Sequence, residues 1–118
     1  MYQISKMFSF EAAHHLNGLP AGHQCARQHG HSYRVELVFA SHDLDERGFV
    51  VDYGDLAFFD DYLNRVFDHR DLNEVLAQPT AEHLARHLWK VVFESPFGEK
   101  LFAVRVSETQ KTWAEYRP

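Results

Sequence analysis

The run from His31 to Ala40 constrains this chain more than any other stretch. Val35, Leu37 and Phe39 alternate there with Arg34 and Glu36, and a strict two-residue period belongs to a strand with one face buried and one in water. Such a strand needs paired edges and a cover for its apolar face. Residues 2 to 14 provide the first partner strand, because Ile4, Phe8, Phe10, Ala12 and His14 share one parity. Asn17, Gly18, Pro20 and Gly22 mark the loop between the two.

The cover comes from the middle of the chain. Asp43 to Gly48 breaks the alternation, and Phe49 to Tyr53 reads as a short strand leading through Gly54 into a helix. In that helix Leu56, Phe59, Leu63, Val66 and Phe67 recur at helical spacing, ending near Asp68. Pro79 and the hydroxyl of Thr80 announce a second helix, with Glu82 in the first turn where the helix dipole favours an anion. Leu84, Leu88 and Val91 continue it until Ser95, Pro96 and Gly98. Two last strands follow, Leu101 to Thr109, with Phe102, Val104 and Val106 on one parity, and Thr112 to Arg117, joined at Gln110 and Lys111. Strand runs flanking a run of helices predict an α+β fold, an antiparallel sheet with helices on one face. No repeat or linker interrupts the 118 residues, so residues 1–118 form one expected domain, with ten Phe, five Tyr and two Trp to fill its core.

Charge and cysteine content narrow the function. A net charge of -5 with the basic residues scattered argues against nucleic acid as a partner. No apolar stretch approaches the roughly 18–20 residues that cross a bilayer, and the N-terminus does not read as a signal peptide. Cys25 is the single cysteine, so no intramolecular disulfide can form, and a cytoplasmic setting is expected.

The nine histidines are the unusual number. His29 and His31 flank Gly30 at the start of a strand, where residues two apart project from one face within reach of a single ion. His14, at the far end of the first strand, is the third imidazole best placed by parity, while His15 points the other way. Three His ligands with an open fourth position describe a catalytic zinc site. Cys25 lies four residues before His29 in a polar loop, as a reactive thiol or as a further zinc ligand. Asp68-His69 is a carboxylate–imidazole pair suited to proton transfer, and equally a His complementing a helix C-terminus. Glu108 at the end of an apolar strand is either a solvated strand end or a carboxylate able to accept two parallel N–H bonds from a ring edge.

Taken together, Phe10-Glu11-Ala12-Ala13-His14, Cys25 with His29-Gly30-His31-Ser32-Tyr33, Asp68-His69 with Leu72-Asn73, Pro79-Thr80 with Glu82, and Glu108-Thr109 resemble the 6-pyruvoyltetrahydropterin synthase family over nearly the whole chain. The three residues between Cys25 and His29 are similar to the bacterial 6-carboxytetrahydropterin synthases of 7-deazapurine (queuosine) biosynthesis. The resemblance implies a T-fold (tunnelling fold): a four-stranded antiparallel sheet with two helices on one face, trimers closing an oligomeric barrel, and two trimers stacking as a homohexamer with intersubunit active sites. It implies zinc on His14, His29 and His31, a catalytic thiol at Cys25, a catalytic pair at Asp68 and His69, and a pterin anchor at Glu108. The implied substrate is a pterin triphosphate, 7,8-dihydroneopterin triphosphate, converted to 6-carboxytetrahydropterin, acetaldehyde and triphosphate. A 6-pyruvoyltetrahydropterin synthase would eliminate triphosphate without side-chain cleavage, and a non-catalytic zinc or pterin binder would need neither Cys25 nor His69. The chain departs from the family pattern at His15, where Arg is common, at Gln28, where an apolar residue is usual, and at Ser107, where a basic residue is common.

Overall fold

A computed structural model describes residues 1–118. β1 (Tyr2–His14) and β2 (His29–Ser41) form a long antiparallel pair, in register from Tyr2 opposite Ser41 to His14 opposite His29. Directly opposed residues of antiparallel strands share a face. Phe8, Phe10 and Ala12 therefore stand beside Val35, Tyr33 and His31 on one surface. β4 (Leu101–Thr109) pairs antiparallel with β2, and β5 (Thr112–Tyr116) with β4.

These are the four antiparallel strands expected, but the sheet holds a fifth. β3 (Arg70–Asp71) runs parallel to β1 at Ala12 and Ala13, giving the order β3-β1-β2-β4-β5. Two residues carry no alternation to read, and the pairing follows from where the preceding helix delivers the chain.

α1 (Ala57–Val66) and α2 (Ala81–Phe93) cover the apolar surface. Phe59 and Leu63 of α1 and Leu84, Ala85, Leu88 and Val92 of α2 join Phe8, Phe10, Val35, Leu37, Phe39, Val104 and Val106 in one buried cluster. Phe8 meets Phe59 edge-on at 5.0 Å, and Phe10 stacks on Tyr33 at 5.0 Å and on Phe67 at 5.8 Å. Full burial of each such side chain contributes about 1.5–3 kcal/mol. The predicted cap of α2 forms: the Thr80 hydroxyl accepts the His83 N–H at 3.1 Å, with Glu82 in the first turn.

Two further expectations are corrected. Phe49 to Tyr53 is not a strand: the Phe49 N–H donates to the Asp45 carboxylate, the Phe49 carbonyl accepts the Asp45 N–H, and the Val50 carbonyl accepts from Lys100 Nζ. Its backbone is spent on a turn, its Val50 and Val51 are buried, and Asp52 caps the short turn Tyr53–Leu56. Phe102 does not share the core face with Val104 and Val106. Phe39 pairs with Leu101 and Val38 with Ala103, so Phe102 is the extra residue of a β-bulge. The bulge shifts the parity, burying Leu101 and leaving Phe102 exposed beneath the Arg117 guanidinium.

Gly98 closes the turn after α2 where an added Cβ would run into the Phe93 carbonyl. Gly98→Ala is expected to destabilise the protein by about 1–3 kcal/mol, measured as a lower urea midpoint with an unchanged slope.

Candidate functional site

The β1–β2 register brings three histidines together. His14 closes β1 directly opposite His29, and His31 lies opposite Ala12 on the same face. Their rings stand edge to face with centroids 4.5–4.9 Å apart. One nitrogen from each lies within 4.8 Å of the other two. His14 is only 1% exposed.

Hydrogen bonding determines what these nitrogens carry. His14 Nδ1 lies 2.7 Å from the Pro79 carbonyl, and His29 Nδ1 lies 2.7 Å from the Arg27 carbonyl. A carbonyl only accepts, so both Nδ1 atoms bear the proton, and in the neutral rings both Nε2 atoms present lone pairs. Those two Nε2 atoms face each other at 2.9 Å. His31 Nε2 is buried with no hydrogen-bond partner. Burial pushes the His31 imidazole below its ordinary 6.5, outweighing the Glu108 carboxylate 3.8 Å away that pulls it upward, so the ring is neutral at pH 7. Converging lone pairs and an orphaned buried nitrogen are uncomfortable without a cation between them. The cluster can hold a metal ion, with backbone carbonyls orienting two ligands from behind, as metal-bound histidines require.

Tyr33 completes the surroundings. It is fully buried, its hydroxyl lies 3.2 Å from His14 Nδ1, and burial drives its phenol well above the ordinary 10, so it remains neutral. The Pro79 and Arg27 carbonyls and the Tyr33 hydroxyl are site groups that sequence reasoning missed. Only Tyr33 left a signal there, as the residue two beyond His31 on the core parity; the carbonyls left none, because a carbonyl's aim depends on the fold.

Asp68 and His69 are held as a pair. His69 Nδ1 donates to Asp68 Oδ2 at 2.9 Å, Asp68 Oδ1 accepts the Glu11 N–H at 2.9 Å, and the His69 N–H donates to the Glu11 carbonyl at 2.6 Å. His69 is the one non-glycine residue with positive φ, 58°, a conformation that persists only where surrounding bonds over-determine it. The Glu11 N–H first, and then His69, hold Asp68 below its ordinary 3.8. Its carboxylate is therefore ionised at neutral pH, fixing the tautomer of a ring whose side chain is 78% exposed. His69 and His31 line one open cleft of about 760 Å³, with Gln28, Ser32, Arg70 and Asp71 around it.

The remaining expected residues lie at the edges. Cys25 is half-buried in the turn Gln24–Ala26, and its carbonyl accepts the Leu16 N–H at 2.9 Å. Its thiol belongs neither to the histidine cluster nor to the lining of the cleft. Glu108 reaches the cluster from β4, a quarter exposed, near His31 but beyond hydrogen-bond distance. Of the departures, His15 and Gln28 hydrogen-bond to each other, and the Ser107 hydroxyl donates to the Thr109 carbonyl.

Residues 3–118 match the family model described as 6-pyruvoyl tetrahydropterin synthase. The chain belongs to the 6-pyruvoyl tetrahydropterin synthase family. A Synechocystis protein named 6-carboxy-5,6,7,8-tetrahydropterin synthase is 37% identical over 123 residues, covering 98% of this chain and 93% of that one. A Bacillus subtilis protein of the same name is 30% identical over 129 residues, covering 99% and 86%. The fold is shared with the solved 6-pyruvoyl tetrahydropterin synthase of Caenorhabditis elegans, at a TM-score of 0.87 and 22% identity, covering 99% of this chain and 95% of that one. Membership makes the chain a pterin lyase-type enzyme. No helix is long and apolar enough to cross a membrane.

Replacing His29 and His31 together by Ala removes two of the three converging nitrogens. The double variant is expected to purify without bound metal while the wild type carries one ion per chain, measured by elemental analysis. Stoichiometric metal in the variant would refute the ligand set.

Proposed function

We propose that this protein is a zinc-dependent 6-carboxy-5,6,7,8-tetrahydropterin synthase, one domain over residues 1–118. It converts 7,8-dihydroneopterin triphosphate and water to 6-carboxytetrahydropterin, acetaldehyde and triphosphate. The observation that carries the metal half of this reading is the meeting of His14 and His29 Nε2 lone pairs beside the unpartnered His31 Nε2. An all-imidazole donor set suits zinc, whose Zn–N bonds of about 2.0–2.1 Å place tetrahedral ligand nitrogens about 3.4 Å apart. The relatives bearing the carboxy name support the product half.

Bound zinc would supply Lewis acidity to the side-chain oxygens of the substrate, stabilising the charge left when a neighbouring C–H loses its proton. This chain's residues do the rest. Cys25 as thiolate takes the side-chain proton. His69, oriented by ionised Asp68, exchanges protons through Nε2 at the cleft, returning one to the substrate carbon. Glu108 accepts the paired N–H groups of the pterin edge and orients the ring against the histidine cluster. Triphosphate departs by elimination, and cleavage of a side-chain carbon–carbon bond releases acetaldehyde. Cys25 does not line the cleft that His69 lines, which fits an active site completed between subunits of a homohexamer, two trimers stacked. The reading extends to a cytoplasmic enzyme of 7-deazapurine (queuosine) biosynthesis.

Three outcomes are expected. Purified enzyme supplied with 7,8-dihydroneopterin triphosphate releases acetaldehyde in step with triphosphate; triphosphate without acetaldehyde would assign the pyruvoyl reaction instead. Cys25→Ala keeps its zinc and its pterin affinity while turnover falls about 10²- to 10⁴-fold, the usual contribution of a general base; loss of zinc would make the thiol a ligand. Glu108→Gln places an amide donor against a donating ring edge and weakens pterin binding by about 1.5–3 kcal/mol, measured by calorimetric titration.

A further inference from the structure

Three segments meet at one side of the cleft through side chains to which the proposed reaction gives no role. His15 Nδ1 donates to Gln28 Oε1 at 3.2 Å, and Gln28 Nε2 donates to Asp71 Oδ2 at 3.1 Å. Asp71 Oδ1 accepts the Asn73 N–H at 2.9 Å. Asn73 closes the circuit: its Oδ1 accepts the His15 N–H at 2.9 Å, and its Nδ2 donates to the His15 carbonyl at 3.0 Å. Asn73 Nδ2 also lies 3.4 Å from His15 Nε2. One assignment satisfies every group: a proton on His15 Nδ1, a lone pair on Nε2, and the Gln28 amide turned with oxygen to His15 and nitrogen to Asp71.

The circuit's members sit at telling places in the chain. His15 follows metal-ligand His14, and Gln28 separates the Cys25 turn from His29. Asp71 and Asn73 continue the segment that begins with Asp68 and His69. Gln28 and Asp71 line the same cleft as His31 and His69. Hydrogen bonds at a partly exposed surface add little to stability, but a closed set of them limits how far three segments can slide past one another. A displacement of about 1 Å can cost about 10²-fold in rate.

We propose that His15, Gln28, Asp71 and Asn73 form a positioning strap that sets the Cys25 turn and the Asp68–His69 segment at a working separation around the histidine cluster. Gln28 is its keystone, because its one amide spans two segments and its orientation is dictated at both ends. The inference rests on the proposed reaction for its kinetic readout.

The test is a polarity swap. Gln28→Glu sets a carboxylate against Asp71; Asp71→Asn in the same chain turns that repulsion back into a donor–acceptor pair while still accepting the Asn73 N–H. Gln28→Glu is expected to lower kcat about 10-fold, within the range of couplings between contacting groups, with KM changed less than about 2-fold. Hydrogen exchange at the amides of residues 24–28 should quicken in that variant with its zinc content unchanged. The double variant should return kcat to within about 3-fold of wild type and restore slow exchange. Gln28→Asn, too short to reach both partners, repeats the first effect without added charge. A double variant no better than Gln28→Glu overturns the strap. So does a raised KM in all three variants, which would make Gln28 a substrate contact, or zinc loss parallel to lost turnover, which would place the effect on His29. Should the wild type release no acetaldehyde, the proposed reaction fails, and exchange with its rescue still decides the strap.

Discussion

The unbroken register between β1 and β2 is the constraint on which the rest of the molecule depends. All of β1 faces β2, from Tyr2 and Ser41 to His14 and His29, and the same ladder serves two purposes. Along most of its length it puts Phe8 and Phe10 beside Val35 and Tyr33, the surface on which α1 and α2 pack. In its last turns of pleat it puts His14 beside His29 and leaves His31 on the same side. A slip of one residue would turn every side chain of one strand to the opposite face, losing the core and the histidine cluster in one step. The apolar residues thus guarantee the register, and the register builds the site.

The cluster lies at the rim of the core, and its electrostatics follow from that position. Pro79 and Arg27 carbonyls occupy the Nδ1 protons of His14 and His29, so the lone pairs have nowhere to point but inward. Burial keeps His31 neutral against the pull of Glu108 and keeps the Tyr33 phenol protonated. Two imidazoles anchored from behind by carbonyls and a third whose burial disfavours its charged form make a corner suited to a cation, because metal binding needs unprotonated ring nitrogens. Asp68 stands in the reverse situation: partly exposed and bonded by the Glu11 N–H, it stays ionised, while the Glu11 carbonyl holds the N–H of the left-handed His69.

Glu11 shows how little of such a site a side chain need supply. Its N–H and carbonyl clamp Asp68 and His69 to β1, while its carboxylate accepts the Ser32 hydroxyl at 2.7 Å on the other side of the sheet. The same clamp starts the two-residue strand β3. The Asp68–His69 pair and the histidine cluster are consequently tied to one strand, at Glu11 and at His14, which is why His69 and His31 line a common cleft although 55 residues of sequence separate His14 from His69.

Much of this was legible in the chain. Period-two alternation identified β1 and β2, helical spacing identified α1, the Thr80 cap located α2, and parity alone selected His14 over His15 as the partner of His29 and His31, because strand geometry converts spacing directly into direction. The exceptions share one cause. Phe49–Tyr53 has strand composition, but Asp45 and Lys100 claim its backbone groups; Phe102 has core chemistry, but a bulge turns it outward. β3, the carbonyls behind His14 and His29, the left-handed His69 and the circuit through Gln28 carry no local signature at all. Local pattern determines which way a side chain points from its own strand or helix. Which backbone group lies 2.7 Å from an imidazole depends on how distant segments pack, and tertiary structure alone decided it.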